Sequence, residues 1–411
     1  MQLEDSIARL YNQKIKIMLL RFGVSNYRSI KDYQEISLVA ASIKDLGADF
    51  IDCPNFKINI LPAVAIYGAN AAGKSNFLRA LRFMCNLVES SHQRAKPDSK
   101  INRSYFKLDP LYATEPTQMD CDFILNGDRY SYGLILNDEH ILEEWLYSFS
   151  GSSKRKVKKT LFHRKVSESS PYYFGPELKG LNRTVTELTR DNSLFLSAAA
   201  ANNHKQLSEI YKFFASNFLF KSADNLVSPK ELSQHLGETD TRVKILDFLQ
   251  YADTGIVDVE TIKSNEPDEK TKLFRQGLNE LISTMSDGNA PSILDEEFQI
   301  ELLIKHRGDS DNNTSMSLSD ESAGTIALLG LLGPLFDALK AGGILVLDEL
   351  NTNLHPLVSR NLITIFNSKN TNPNGAQLLF TTHDTNLLCG GILRRDQIWF
   401  AEKDRAGASH F

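Results

Sequence analysis

The spacing of apolar and polar positions divides the chain into three stretches of different character. In the first, apolar residues alternate or cluster over short spans bounded by polar turns, which is the mark of strands. Met18–Arg28 and Glu35–Ala40 read as two strands of a hairpin, Asp45–Asn59 as a polar loop, and Met119–Leu125, Tyr130–Leu136 and Ile141–Ser148 as three more strands. Asn126-Gly127-Asp128 and Asn137-Asp138, which separate those three, are hairpin turn signals. Another strand, Thr160–Arg164, follows the basic run Lys154–Lys159. That run is either a solvated hairpin or a contact for nucleic acid or a partner. One span breaks this order. A short apolar strand ends at Gly68, a helix opens at Lys74 and fades near Glu89, and Ser90–Ser104 is polar connector.

From about Thr184 to Met285 the apolar period becomes helical, as in Leu207, Ile210, Tyr211 and Phe214. Ser264–Lys272 and Asp309–Thr314 read as exposed loops. The last third alternates: strand Phe298–Lys305, helix Ser322–Lys340, strand Ile344–Leu347, helix near Pro356–Phe366, strand Gln377–Thr381. The expected divisions are a peripheral, helical N-terminal extension over 1–17, a first lobe over 18–184, a helical insertion over 185–290 and a second lobe over 291–411.

Composition adds exclusions. With 46 basic and 51 acidic side chains the net charge is −5, so any nucleic-acid contact must come from a local patch or a partner. The four cysteines, Cys53, Cys85, Cys121 and Cys389, form no C-x-x-C pair and read as reduced, mostly buried thiols without a zinc site. No run of about eighteen apolar residues occurs, so no membrane span is expected. Residues 1–17 carry Glu4 and Asp5 and lack the apolar core of a signal peptide, which leaves a cytoplasmic protein with no membrane partner as the expectation.

The chemistry concentrates at four places. Gly68–Ser75 is G-x-x-x-x-G-K-[ST] between a strand and a helix, the context that gives the motif its meaning. Small residues let successive backbone N–H groups turn inward around a phosphate, and the helix N-terminus adds its dipole. Gly68, Asn70, Ala71, Gly73, Lys74, Ser75 and Asn76 are the candidate nucleotide-binding residues. Lys74 would reach the β- and γ-phosphates of ATP, and the Ser75 hydroxyl would hold Mg²⁺. Next, Ile344-Leu345-Val346-Leu347 runs into Asp348 and Glu349, as a central parallel strand does when its C-terminal end meets phosphates. Asp348 would hold the Mg²⁺ through water, and Glu349 would polarise an attacking water. Third, Leu378–Thr382 ends in His383, a donor near an anion. Finally, Ser322 and Gly324 open the long apolar helix, where a serine is either a plain N-cap or part of a second anion site.

Together Gly68–Ser75, Ser322-Ala323-Gly324-Thr325, Leu347-Asp348-Glu349 and Thr382-His383 resemble the Walker A, signature, Walker B and switch elements of ABC-type ATPases. The opening Phe22–Ser29 is similar to the first strand and turn of SMC and RecF proteins. Closer still is the resemblance to the RloA/AbiLi-like ATPases of phage-defence and restriction-linked operons. It is carried by Arg28-Ser29-Ile30, Glu144–Tyr147, Asp191–Ser197, Glu321–Thr325, Leu354-His355-Pro356 and Leu393–Phe400.

The resemblance implies an α/β fold, a P-loop NTPase of ABC/SMC-head type, with a mixed sheet, an antiparallel β-subdomain and a helical insertion. It implies an ATPase that forms a homodimer or higher homo-oligomer through its ATP sites. Each ATP would lie on Lys74 and Ser75 of one subunit and under Ser322 of the other. Lys74, Glu349 as base and His383 as γ-phosphate sensor would be catalytic, and Arg28 with Ser29 would approach the phosphates. His355 falls in the loop that crosses to the second subunit, with Pro356 suited to a first helical turn. Hydrolysis would serve as a conformational switch controlling a toxic effector, often a nuclease, encoded in the same operon, with DNA or a phage protein as trigger. A RecF-like DNA-repair ATPase is the alternative. The sequence departs from the pattern in three respects. Its signature is not that of transporters, only Gln93 and Gln118 offer themselves as a Q-loop glutamine, and a family C-terminal tail would be expected beyond Phe411. Trp145 and Phe195 read as core.

Overall fold

The computed structural model describes residues 17–53, 55–97, 99–150, 157–222, 227–252, 254–263, 300–308, 314–388 and 391–411. Outside them lie residues 1–16 of the expected extension, Lys154–Lys156 of the basic run, Cys389, residues 264–290 of the expected insertion and most of both expected polar loops.

The strands in chain order are β1 (Ile17–Ser25), β2 (Gln34–Ser37), β3 (Ile51–Cys53), β4 (Ile58–Ile60), β5 (Ala63–Gly68), β6 (Thr117–Leu125), β7 (Asp128–Leu136), β8 (Ile141–Ser150) and β9 (Val157–Lys165). They continue as β10 (Tyr172–Phe174), β11 (Phe218–Ser222), β12 (Ile256–Lys263), β13 (Ile300–His306), β14 (Thr314–Ser317), β15 (Ile344–Asp348), β16 (Gln377–Thr382), β17 (Ile398–Lys403) and β18 (Ser409–His410). The helices are α1 (Lys74–Arg94), α2 (Asn182–Leu188), α3 (Phe195–Ala201), α4 (Lys205–Ser216), α5 (Pro229–Gly237), α6 (Thr239–Tyr251), α7 (Ala323–Ala341) and α8 (Pro356–Asn367).

The described residues fall into two compact units. The larger comprises those up to Ser222 together with Asp337–Thr352 and Ser359–Phe411. It holds two large sheets. One is antiparallel, in the order β10-β9-β8-β7-β6-β1-β2. The other, β11-β15-β16-β5-β17-β18, is parallel except for its last pair. Its central strands β5, β15 and β16 are near-continuous apolar runs because both of their faces are covered.

Helix α1 touches β1 of the first sheet and β5 and β15 of the second. Its buried stripe, Phe77, Leu78, Leu81, Met84, Cys85 and Val88, belongs to one core with residues of both sheets. Gln377 stitches the sheets together. Its Oε1 accepts from Leu19 N at 2.7 Å and its Nε2 donates to Leu19 O at 3.0 Å. An amide is what this buried strand edge needs, since one side chain satisfies both a donor and an acceptor.

The smaller unit comprises the described residues of Ala223–Phe336 and Asn353–Val358. There α5 and α6 pack on the antiparallel sheet β12-β13-β14.

Several expectations need correction. Asp45–Asn59 is not only loop, because Ile51 and Cys53 pair with Ile60 and Ile58 in β3 and β4 and join Met18, Leu20 and Ile124 in a small core. Helix α1 runs past Glu89 to Arg94, with Val88 and Ser91 still buried. Residues 185–290 are not wholly helical. Phe218–Ser222 is the edge strand beside β15, and Ile256–Lys263 is β12. Trp145 is half-buried on the face of β8 opposite Glu144 and Leu146, whereas Phe195 is core. Helix α7 is long and apolar enough, by length and composition alone, to cross a membrane, although half of that window is buried. With Asp337 and Lys340 within it, the helix still holds no run of about eighteen apolar residues.

Candidate nucleotide-binding site

Because β5, β16 and β15 are parallel neighbours, their C-terminal ends share one edge, and the loops after them converge there. The loop after β5 turns into α1 through Gly73, whose φ is +111°. A Cβ on Gly73 would stand 2.1 Å from Ser409 Oγ, so glycine is required by conformation and by space. Lys74 is the first helical residue and is buried, its Nζ donating to Gly68 O at 2.7 Å and Ala69 O at 3.0 Å. Burial lowers its pKa below the ordinary lysine value, while the charges of Glu349 and Asp348 act the other way. Asn70 and Ala71 are exposed at the loop tip, Ala71 in the left-handed region at φ 64°.

Ser75 Oγ donates to Asp348 Oδ1 at 2.8 Å, and Thr381 Oγ1 donates to the same oxygen at 2.7 Å. Thr381 Oγ1 also accepts from Glu349 N at 2.7 Å. One buried hydroxyl therefore fixes the acid at the end of β15 and the backbone of the next acid. Glu349 has φ 60°, an uncommon conformation for a glutamate, and its exposed carboxylate accepts from Thr352 Oγ1 at 3.1 Å. The serine hydroxyl and aspartate carboxylate are hard oxygen donors of the kind Mg²⁺ takes together with substrate phosphate.

His383 is exposed after β16, with Asn351 Nδ2 lying 2.9 Å from its Nε2. Asn351 Oδ1 accepts from Thr382 Oγ1 at 2.8 Å, so Asn351 ties the loop after β15 to the loop after β16. Arg28 sits in the left-handed region with its guanidinium 5.9 Å from the Tyr27 ring centre. Its neighbour Ser29, rather than Arg28, meets the loop, accepting from Asn76 Nδ2 at 2.8 Å. Gln93 lies in the last turn of α1, and Gln118 pairs with Ser25 and Ile135 in the antiparallel sheet. In register with Asp348 on the adjoining strand is Ser222, not a glutamine.

Ser322 and Gly324 belong to the smaller unit. Ser322 caps α7, its Oγ accepting from Thr325 N at 3.1 Å. A Cβ on Gly324 would meet Asn353 O at 2.6 Å. Behind Ser322, Glu321 Oε1 lies 2.5 Å from His306 Nε2 of β13. His355 stands before Pro356, the first residue of α8, and its Nδ1 accepts from Leu357 N at 3.3 Å.

Two stretches that carried the resemblance meet in the core rather than at this site. The buried Glu144 carboxylate accepts from Phe195 N at 2.6 Å, Leu196 N at 3.0 Å and Tyr132 Oη at 2.9 Å. Arg164 Nη1 donates to Ser193 O at 2.7 Å. Burial raises the Glu144 pKa, and the Arg164 charge opposes that rise. Sequence reasoning missed Thr381, Asn351 and Ser409 as site residues. Of these, Thr381 lay within the strand that leads to His383.

Residues 63–389, from the P-loop strand past His383, match the family described as "AAA domain, putative AbiEii toxin, Type IV TA system". The chain belongs to this family. No curated protein matches it. Among solved structures, it is similar to an SMC head bound to the C-terminal winged-helix domain of ScpA, at 12% identity and a TM-score of 0.40, covering 95% of this chain and 96% of that one. It is also similar to the recombination mediator protein RecF with ATP, at 14% identity and a TM-score of 0.35, covering 92% of this chain and 96% of that one. This AbiEii-type AAA chain has a mixed α/β fold, with an antiparallel sheet beside the parallel one that carries the loop after β5.

Proposed function

We propose that the chain binds and hydrolyses ATP and uses the cycle as a conformational switch. The observation that carries this reading is the convergence of Lys74, Ser75 and Asp348 on one edge of the parallel sheet, with Ser75 and Asp348 in direct contact. Backbone N–H groups of the loop and Lys74 would bind the phosphates, and Ser75 with Asp348 would hold Mg²⁺. When bound, Mg²⁺ offsets negative charge on the phosphate oxygens. Glu349 would take the proton of the water that attacks the γ-phosphorus, giving ADP and phosphate, and His383 would donate a hydrogen bond to the γ-phosphate. Support for those two roles is positional: each follows the end of a parallel strand next to the loop.

We infer further that two copies enclose ATP, with Ser322 and Gly324 of one facing the nucleotide of the other. At the start of a 19-residue helix, the exposed Ser322 and the half-buried Gly324 supply donors for such a contact. The family description, with the RloA/AbiLi-like stretches, favours control of a toxic effector encoded in the same operon, a nuclease being the expected kind. The test is expression with and without the neighbouring gene product. Toxicity or co-purification should change between Lys74→Ala and Glu349→Gln, which arrest the cycle before and after ATP binding. An effector indifferent to both variants would remove the switch. Strong stimulation of turnover by duplex DNA alone would favour the repair reading instead.

A further inference from the structure

Beneath the loop after β5 runs a chain of side-chain hydrogen bonds that no motif announces. Asn76 Nδ2, in the first turn of α1, donates to Ser29 Oγ at 2.8 Å. Ser29 Oγ and Ser409 Oγ are 2.8 Å apart, and Ser409 Oγ donates to Ala72 O at 2.7 Å. A serine hydroxyl has one proton. Ser29 Oγ is also within reach of the Ser409 proton, but the Ala72 carbonyl, at the shorter distance, is the acceptor through which Ser409 touches the loop. Ser409 itself is fixed: it is 1% exposed, and its N–H donates to Ser29 O at 2.7 Å.

The target of the chain gives it a consequence. The Ala72 carbonyl and the Gly73 N–H belong to one planar trans peptide and point in opposite directions. A carbonyl held toward β18 turns the Gly73 N–H away from β18, toward the side where a phosphate would lie. Among the described residues, none accepts from that N–H. The same hydroxyl occupies the space that a Gly73 side chain would need.

We propose that Ser409 is a positioning residue of the nucleotide site. Its hydroxyl, ordered by Ser29, holds the Ala72–Gly73 peptide with the N–H facing the phosphates. The ligand in this inference rests on the ATP reading, whereas the latch itself does not.

The test uses the full chain and two measurements. Amide exchange over residues 68–76 without nucleotide reports the latch, and calorimetry with ATP and with ADP reports its effect on binding. Ser409→Ala should speed exchange in the loop and weaken ATP and ADP alike by about tenfold, the scale of one buried hydrogen bond. The equal loss follows because the loop's N–H groups face phosphates that both nucleotides carry. Ser29→Ala, which leaves the Ser409-to-Ala72 bond in place, should cost about threefold. It also serves as the deciding variant if Ser409→Ala does not fold. Unchanged exchange and unchanged affinity in the folded variant would overturn the proposal. So would a lower melting temperature with wild-type affinity, which is what a merely structural serine gives. If the wild-type chain binds neither nucleotide, the ATP reading fails while the exchange result still judges the latch.

Discussion

The Ser75 hydroxyl donates to the Asp348 carboxylate across 2.8 Å, joining residues 273 positions apart. The contact exists because β5 and β15 both flank β16 and point the same way, so the helix after one strand starts beside the acid that ends the other. Everything proposed for the site depends on that shared edge.

Thr381 is the most informative residue to change within it. Thr381→Val keeps the shape but removes the hydroxyl that bonds Asp348 and the Glu349 backbone. ATPase turnover should fall at least tenfold, the scale expected for a misplaced catalytic group. Nucleotide affinity should stay close to wild type, and stability should drop by about 1–3 kcal/mol. Steady-state kinetics and denaturant melts measure these separately, and normal turnover would dismiss Thr381 as an organiser.

Glu144 tests the core. Glu144→Ala removes the buried acceptor of Tyr132 Oη and of two N–H groups at the start of α3, so it should cost at least about 1–3 kcal/mol in a urea melt. The folded pKa is raised, so this carboxyl's contribution to stability is fullest below the unfolded value of about 4.3 and declines as pH rises through the folded one. Glu144→Gln should remove that part of the pH dependence. An identical pH profile in wild type and Glu144→Gln would show that the carboxyl is not the group responsible.

What was legible in the sequence was the chemistry that is local. Gly68–Ser75 and Asp348-Glu349 announce themselves because strand, turn and reactive residue are contiguous. Thr381, Asn351 and Ser409 were not legible, since each acts across the fold on a group remote in sequence. Secondary structure failed for similar reasons. Phe218–Phe220 follows the buried Phe213 and Phe214 of α4, and a short apolar run cannot be told from a helix by periodicity. Strands β3 and β4 are three residues each and too short to show alternation.

The shared site makes its own prediction. If Ser322 faces the partner's nucleotide, Ser322→Arg spoils the partner's site and leaves its own Lys74 and Glu349 sound. Mixing Ser322→Arg with Lys74→Ala should then rebuild one composite site per heterodimer and restore part of the ATPase activity. A serine that only caps α7 would cost about 1 kcal/mol of stability and give no rescue. An inactive mixture in which heterodimers are shown to form would rule out the shared site.

The central claim is that ATP binds at Lys74 and is cleaved with help from Glu349. The most direct measurement pairs calorimetric ATP binding with phosphate release for wild type, Lys74→Ala and Glu349→Gln. Wild type should bind and turn over, Lys74→Ala should do neither while keeping its fold, and Glu349→Gln should bind but release phosphate roughly 10²-fold more slowly or worse. Wild-type ATP affinity in Lys74→Ala, or normal turnover in Glu349→Gln, would contradict the account.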